Sequence, residues 1–471
     1  MRPWTIHTGD CRTALAAMEP DSIDGAVVDT PYGLSNLLDP PNLDREALWQ
    51  KLTAGQTELP IKRLTRSWLD TGENPVMKGA GFMGHEWDAL VPPPNTWSAL
   101  WRVLKPGAYL LAFGGTRTYD LITMSIRFAA FDVDDQIATW LQGQGMVKRV
   151  RLGLKIDEHY EEAETRRLRR ADAKRSKKSI PPASHPDSAR FAGHDRQLGP
   201  KWEPIIVAAK PLRGTIAETA LRYGTGGLNV DACRIPRGDA GVVTGFNTAT
   251  PSTDLVYGKY ASRDGQPIAI HALGGYPANV IIDEAVAGML DAQSGVLTSG
   301  ALTQGGALGR GFGVGGTGTT RGVLPEDARP ASSGGASRFF YTAKASTAER
   351  DKGLEDMPRV KRFSGGHEGG ASIPLKGSPP PTGHNPEPCV KPIDLMRYLV
   401  RLASPPGAHD PDESKRPTII DIFAGSGSTL VAGLMEGVRV IGCELRPEAA
   451  EVARRRCHHA YTLPNEDEAA L

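Results

Sequence analysis

Residues 417–430, PTIIDIFAGSGSTL, read as a buried strand that runs into a glycine-rich turn and then into a helix. Gly425 and Gly427 let the backbone pass close to a ligand, and a helix opening near Ser428 offers free N–H groups. The next apolar run, VRVIGCEL at 438–445, ends in Glu444, 23 residues after Asp421. A nucleotide-binding α/β unit sets at that point the acid that accepts hydrogen bonds from ribose hydroxyls. The third glycine of a dinucleotide turn is missing. That shifts the balance from NAD toward a nucleoside without pyrophosphate, such as S-adenosylmethionine. A tight strand–helix turn with no ligand is the structural alternative.

Outward from this unit the pattern repeats. KPIDLMRYLVRLASPPG (391–407) reads as an amphipathic helix stopped by Pro-Pro-Gly, and RPEAAEVARRRCHHA (446–460) as a helix with Pro447 near its first position. At the other end of the chain, residues 4–7 read as a short strand, 12–18 as a helix and IDGAVVDTPYG (23–33) as a buried strand running into a Pro/Gly loop. A polar tract from about 36 to 95 has weak periodicity and reads as an insertion at the rim of a site. TWSALWRVLKPG (96–107) is a helix closed by Pro-Gly, AYLLAFGG (108–115) a strand, 119–130 a helix and 136–141 a strand. Strands alternating with helices predict an α/β domain with a mostly parallel sheet.

Asp29-Thr30-Pro31-Tyr32-Gly33 falls at the C-terminal end of a strand, where open parallel sheets bind ligands. A carboxylate and a loop carbonyl side by side accept hydrogen bonds from an exocyclic amino group, and an aromatic ring stacks on a flat base. Taken alone, the same five residues also make an ordinary proline turn.

Lys and Arg number 55 against 54 Asp and Glu, for a net charge of +1. This excludes a bulk basic coat and an acidic tail, so a nucleic-acid partner would meet local patches. One such patch is RRLRRADAKRSKK (166–178), with eight basic residues and one acid. It reads either as a solvated helix face or disordered arm, or as a contact to phosphates. The 54 glycines and 37 prolines concentrate in loops, above all in a low-complexity tract at 294–337 that is expected to be flexible. The five scattered cysteines suit a reducing compartment, the N-terminus lacks a signal-peptide core, and no apolar run is long enough for a bilayer. A soluble, cytoplasmic protein with no membrane association is expected. The 11 histidines form no metal-spaced cluster, so no metal is expected either.

Together the two motifs carry a resemblance. Asp29-Thr30-Pro31-Tyr32 resembles the DPPY motif, and Phe423-Ala424-Gly425-Ser426-Gly427 the FxGxG motif, of the amino-methylating DNA methyltransferases, the adenine-N6 and cytosine-N4 family. Thr30 stands where the family has its first Pro. The catalytic motif precedes the cofactor motif, as in the permuted β type. LKPGAYLLAFGGTRTYD, WLQGQGMVKR, KWEPIIVAAKP, SRFFYTAKAS and the 391–407 helix resemble further family segments, so the likeness covers about 1–35, 84–148, 199–235 and 336–460.

The resemblance implies a doubly wound, mostly parallel, seven-stranded methyltransferase (Rossmann-like) sheet, circularly permuted, with a large insertion. Its catalytic half would be 1–148. An inserted target-recognition region would be 149–385, with a strand at about 202–210. The cofactor half would be 386–465. It implies S-adenosylmethionine as cofactor and double-stranded DNA as substrate. Asp29, Thr30, Pro31 and Tyr32 would be catalytic. Asp421, Phe423, Ala424, Gly425, Gly427 and Glu444 would bind cofactor, with Asp10 near its adenine and Lys391-Pro392 near its methionine end. Asp10 reads equally as the N-cap of the first helix. Arg166, Arg167, Arg169 and Arg170 would contact DNA, and Trp140, in the WLQGQGMVKR segment that resembles the family's Trp-containing loop, would lie near the target base. Asp at position 29 favours adenine N6. Cytosine N4 methylation, an RNA- or protein-glutamine amino-methyltransferase, and a catalytically silent DNA-binding relative stay open, and a homodimer is compatible with the sequence.

Overall fold

The structure, a computed structural model, describes residues 2–33, 59–76, 88–133, 137–143, 151–176, 182, 184–196, 198–235, 244–246, 267–269, 275–299, 332–344, 346, 348–361, 382–387 and 390–462. Ten strands form the central sheet: β1 (Trp4–Thr8), β2 (Ile23–Asp29), β3 (Leu104–Phe113), β4 (Asp132–Val133), β5 (Ala138–Leu141), β6 (Trp202–Ala209), β7 (Val280–Asp283), β8 (Tyr341–Ala343), β9 (Thr418–Asp421) and β10 (Arg439–Glu444). Their order is β1-β10-β9-β2-β3-β6-β5-β7-β8, with β4 also on β6. All pairs are parallel except those that β6 makes with β3, β4 and β5.

Eleven helices matter to the packing: α1 (Cys11–Ala16), α2 (Pro60–Thr71), α3 (Pro94–Val103), α4 (Tyr119–Phe128), α5 (Leu152–Tyr160), α6 (Ala163–Ser176), α7 (Ile216–Tyr223), α8 (Glu284–Ser294), α9 (Ile393–Ala403), α10 (Ser428–Met435) and α11 (Pro447–Thr462). The central strands carry unbroken apolar runs, GAVV in β2, AYLLAF in β3 and PIIVAA in β6, because both faces are covered there. Val27, Leu111, Phe113, Ile205 and Val207 pack in one cluster with Leu395, Leu399, Leu430 and Ala453 of α9, α10 and α11. Their alternate neighbours Ala26, Val28, Leu110, Ala112, Ile206 and Ala208 pack in the other with Leu15, Trp68, Trp97 and Ile122 of α1 to α4. The two-residue period of the strands thus divides one apolar run between two cores. Each fully buried Leu or Ile there contributes roughly 1.5–3 kcal/mol. The architecture is α/β with a mostly parallel sheet, as the alternation of elements predicts, and it is doubly wound, as the resemblance implies.

Four readings change. The sheet has ten strands instead of seven: besides β6, the strand expected at about 202–210, β7 and β8 from within 149–385 join it. VIID and YTA are too short for a period to separate strand from turn. Within the tract read as weakly periodic, α2 buries Leu64 and Trp68, starts on Pro60 and ends on Gly72 at φ 71°. The third helix stops at Val103, and Leu-Lys-Pro-Gly joins β3 because Gly107, at φ 75°, fits against Gly226 and Thr219 where a Cβ would meet atoms at 3.0 Å. Of the glycine-rich tract, 297–299 and 332–334 pair as antiparallel strands, and 300–331 lies outside the described residues.

Candidate active site

Parallel pairing brings the ends of β1, β10, β9 and β2 to one edge of the sheet. Asp10 follows β1, and Glu444, Asp421 and Asp29 end the other three, so four acids stand along that edge in the order Asp10, Glu444, Asp421, Asp29. In open α/β sheets this carboxyl edge is where ligands bind.

The glycine turn occupies its middle. Gly427 caps α10 at φ 82°, and a Cβ there would meet the Ala453 Cβ at 2.9 Å. Gly425, at φ 51°, faces open space, with only the Phe423 carbonyl oxygen 4.0 Å from where a Cβ would stand. Its N–H donates to Glu444 Oε2 at 2.9 Å, while the Arg446 N–H donates to Oε1 at 2.9 Å. Burial raises the Glu444 carboxyl above its ordinary range, and these N–H donors oppose it. Asp421, fully enclosed, is pushed up by burial to about 7, against hydrogen bonds from Thr429 Oγ1 (2.5 Å) and the Phe423 N–H (2.9 Å). Phe423 meets Trp97 edge-to-face at 6.1 Å, and Ala424 is buried. Behind the turn, buried Arg456 donates to the Ser426 carbonyl at 2.8 Å.

Asp10 is the N-cap of α1, accepting from the Arg12 N–H at 2.8 Å, and its carboxylate also holds the Arg12 guanidinium at 2.8 Å. It sits beside the acid of β10, since the Gly9 N–H donates to the Glu444 carbonyl at 2.9 Å.

At the β2 end the Asp-Thr-Pro-Tyr loop is held from several sides. Thr30, in the family's proline position, is buried and donates through Oγ1 to the Phe113 carbonyl at 2.7 Å. Asp88 accepts from the N–H groups of Tyr32 (2.7 Å) and Gly33 (3.1 Å), and Thr118 Oγ1 donates to the Tyr32 carbonyl at 2.5 Å. Lys391, just ahead of α9, reaches this loop: its Nζ donates to Asp29 Oδ2 at 2.7 Å and to the Tyr32 hydroxyl at 3.1 Å. It also lies 3.4 Å from Glu203 Oε2 and over the Phe113 ring at 4.8 Å. The Tyr32 hydroxyl is 3.1 Å from both Asp29 Oδ1 and Glu203 Oε2. Burial raises the Asp29 carboxyl, the Lys391 ammonium lowers it and the Glu203 charge raises it again. Burial alone would lower Lys391, yet Asp29, Glu203 and Tyr32 hold it well above its ordinary value and keep it charged.

Glu203, Asp88 and Thr118 lie outside the sequence motifs. Glu203 reaches the site because β6 runs against β3 and so presents its first residues at the carboxyl edge. Its sequence signals were a carboxylate at the start of an apolar strand and a place in the family-like segment KWEPIIVAAKP. Trp140, expected beside the target base, is a correction: it is 4% exposed on β5, between β6 and β7, and packs in the sheet core.

The basic run is only partly available. Arg169 forks Glu161 at 2.9 and 3.0 Å and Arg166 donates to the Glu161 carbonyl at 2.7 Å, while Arg167 (75% exposed) and Arg170 (64%) face outward beside Glu164 and Glu158. Among the described residues no three metal-ligating side chains lie together, and no helix is long and apolar enough to cross a membrane.

Residues 332–455 match the DNA methylase family model. No curated protein matches the chain. Among solved structures, a putative DNA modification methylase from Thermus thermophilus is 14% identical, with 98% of this chain and 97% of that one covered at a TM-score of 0.34. The same protein complexed with S-adenosyl-L-methionine aligns at 14% identity over 97% and 94% of the chains, TM-score 0.34. The PvuII cytosine-N4-specific DNA methyltransferase is 10% identical over 98% and 87%, TM-score 0.34. These likenesses are too distant to carry chemistry, which rests on the family match and on the site. Residues 332–455, about a quarter of the chain, are thus similar to the DNA methylase family.

Proposed function

We propose that this protein transfers a methyl group from S-adenosylmethionine to N6 of adenine in double-stranded DNA. The family uses S-adenosylmethionine, which when bound supplies an electrophilic methyl group. The observation that carries the proposal is the adjacency of β2 and β9: parallel pairing of Ile419 with Gly25 and Ile420 with Ala26 puts Asp29 beside the glycine turn. A target nitrogen at the first and a cofactor at the second would be neighbours, and holding two reactants in line is worth several kcal/mol.

The residues suit the cofactor. Gly425 leaves its outer side open, and Glu444 stands one strand away to accept from ribose hydroxyls. Asp421, Phe423, Ala424 and Gly427 shape the turn, and Asp10 flanks the Glu444 end. The strand of Asp29 precedes that of the turn in the chain, the order of the permuted β type.

An amino group on a base is a poor nucleophile because its lone pair is delocalised into the ring. Hydrogen bonds from its two protons to Asp29 and to the Thr30 carbonyl would favour a tetrahedral nitrogen whose lone pair faces the methyl carbon. Pro31 stiffens the loop, and Tyr32 packs against the base. A base inside the duplex cannot reach such a site, so it is extruded at a cost of a few kcal/mol. Segments of 149–385, with Arg167 and Arg170 outward on α6, are assigned to the DNA around the target.

Asp at position 29 favours adenine over cytosine by family pattern. The test is to methylate DNA in vitro, digest it to nucleosides and identify the modified one by mass. N6-methyl-2′-deoxyadenosine is expected; N4-methyl-2′-deoxycytidine alone would overturn the base and keep the enzyme class. Absence of methyl transfer to any DNA would overturn the function.

A further inference from the structure

We infer that Glu203 is a positioning residue that draws the Lys391 ammonium off Asp29 when the target amino group arrives. The inference rests on the amino-methyltransferase reading of the site and adds to it a residue that neither motif contains.

Both oxygens of Asp29 are already engaged. Oδ2 holds Lys391 Nζ at 2.7 Å and Oδ1 faces the Tyr32 hydroxyl at 3.1 Å. A carboxylate paired with an ammonium is a weaker acceptor, because part of its charge is already neutralised. Asp29 would accept an incoming N–H more strongly with the cation moved aside, and a buried ammonium that leaves one carboxylate is uncompensated unless a second anion takes it. Glu203 is that anion. Its Oε2 lies 3.4 Å from Lys391 Nζ, a short rotation of the lysine tip away, and the Tyr32 hydroxyl, 3.1 Å from both Nζ and Oε2, stays with the ammonium throughout.

Glu203 is also held to receive it. Gln142, one residue past β5, donates through Nε2 to Glu203 Oε1 at 2.6 Å and leaves Oε2 facing the cluster. Two carboxylates around one ammonium leave a net negative charge in a buried site, which works against stability. A packing role alone would be served as well by a neutral glutamine of the same shape. The second negative charge has a use where the ammonium must have two places to rest.

The test compares wild type, Glu203→Gln, Lys391→Met and the double variant as full-length protein, with thermal melting to establish folding. Single-turnover and steady-state transfer of labelled methyl to DNA give kcat and KM, and calorimetry gives the affinity for S-adenosylmethionine. Glu203→Gln is expected to lower kcat on the order of 10²-fold, the scale of a displaced reacting group. Its KM for DNA and its cofactor affinity are expected within about twofold of wild type, the signature of an interaction that acts in the transition state. Adding Glu203→Gln to Lys391→Met should lower kcat no further, since without the ammonium the second acceptor has nothing to take. An unchanged kcat in Glu203→Gln, an effect confined to KM, or additive losses in the double variant would each overturn the inference. If Lys391→Met does not fold, the kcat-against-KM split of Glu203→Gln decides alone. Wild-type protein inactive on every DNA would overturn the enzyme reading and this inference together, whereas active wild type with an unaffected Glu203→Gln overturns this one only.

Discussion

Lys391 Nζ lies 2.7 Å from Asp29 Oδ2, across 362 positions of chain. The contact joins the residue that precedes α9 to the end of β2, and so ties the two motif-bearing parts of the chain at the carboxyl edge. It makes Asp29 a paired anion before any substrate arrives.

Asp29→Ala should remove methyl transfer while leaving cofactor affinity near wild type. The residue faces the proposed amino group, and loss of one such stabilising group lowers kcat by roughly 10²–10³-fold. Lys391 keeps Glu203 as a partner in the variant, so folding should survive. The measurements are single-turnover methylation and calorimetry; a variant that retains most of its kcat removes Asp29 from the mechanism.

Gly425→Ala should weaken cofactor binding by more than about tenfold with a thermal shift of only a few degrees. A Cβ at 425 meets nothing of the protein nearer than 4.0 Å and points into the open side of the turn, though φ 51° costs a non-glycine residue about 1 kcal/mol. Gly427→Ala is the contrast: its Cβ would press on Ala453 at 2.9 Å, so it should lower the melting temperature further. Calorimetry and melting curves on both variants separate the two effects. Unchanged affinity in a folded Gly425→Ala protein rules out a cofactor at this turn.

Asp421 ties stability to pH. Its folded-state value, raised by burial from the ordinary 3.8 to about 7, means that the folded protein binds a proton there that the unfolded chain has released. This contribution is fully present below pH 3.8 and is lost as pH rises through about 7. Asp421→Asn removes the titration, so the difference in stability between variant and wild type should move in favour of the variant from pH 4 to 7.5. Urea denaturation at stepped pH reads this out, and a pH-independent difference would mean that Asp421 ionises normally.

Salt dependence of DNA binding should respond to Arg167 and Arg170 and not to Arg169. The first two are 75% and 64% exposed, whereas Arg169 is 14% exposed and forked on Glu161. Each lost phosphate contact lowers the log–log slope by about 0.9 on duplex DNA, so Arg167→Ala with Arg170→Ala should lower it by nearly 2. A double variant with the wild-type slope would show that α6 is a solvated face.

Thr30→Val should destabilise the protein by about 1–3 kcal/mol, because it keeps the shape and leaves the buried Phe113 carbonyl without its Thr30 donor. Methyl transfer should fall as the catalytic loop loosens. Urea melts and kcat measured on one preparation test both; unchanged values would make the Thr30 hydroxyl incidental.

The sequence by itself determined the α/β class, the buried strands IDGAVVD and TIID, the glycine turn after the second and the acids at their ends. These are local properties: a run of apolar residues, a turn that only glycine tolerates and a charge where the run stops. The alternation was legible for the same reason, and so was Asp10 as a helix cap. Tertiary structure alone decided what stands around them. Glu203 enters the site because β6 runs antiparallel, a pairing set by partners on β3 and β5 with no local signature. Trp140 reads like a residue beside a base, but its side chain is buried in the apolar cluster on one face of the sheet. Arg166 and Arg169 of the basic run are spent on Glu158 and Glu161, since α5 and α6 lie close enough for ion pairs that the charge count could not foresee. The Lys391–Asp29 pair belongs to the same class: the sequence carries both charges, and only the folded sheet brings them within 2.7 Å.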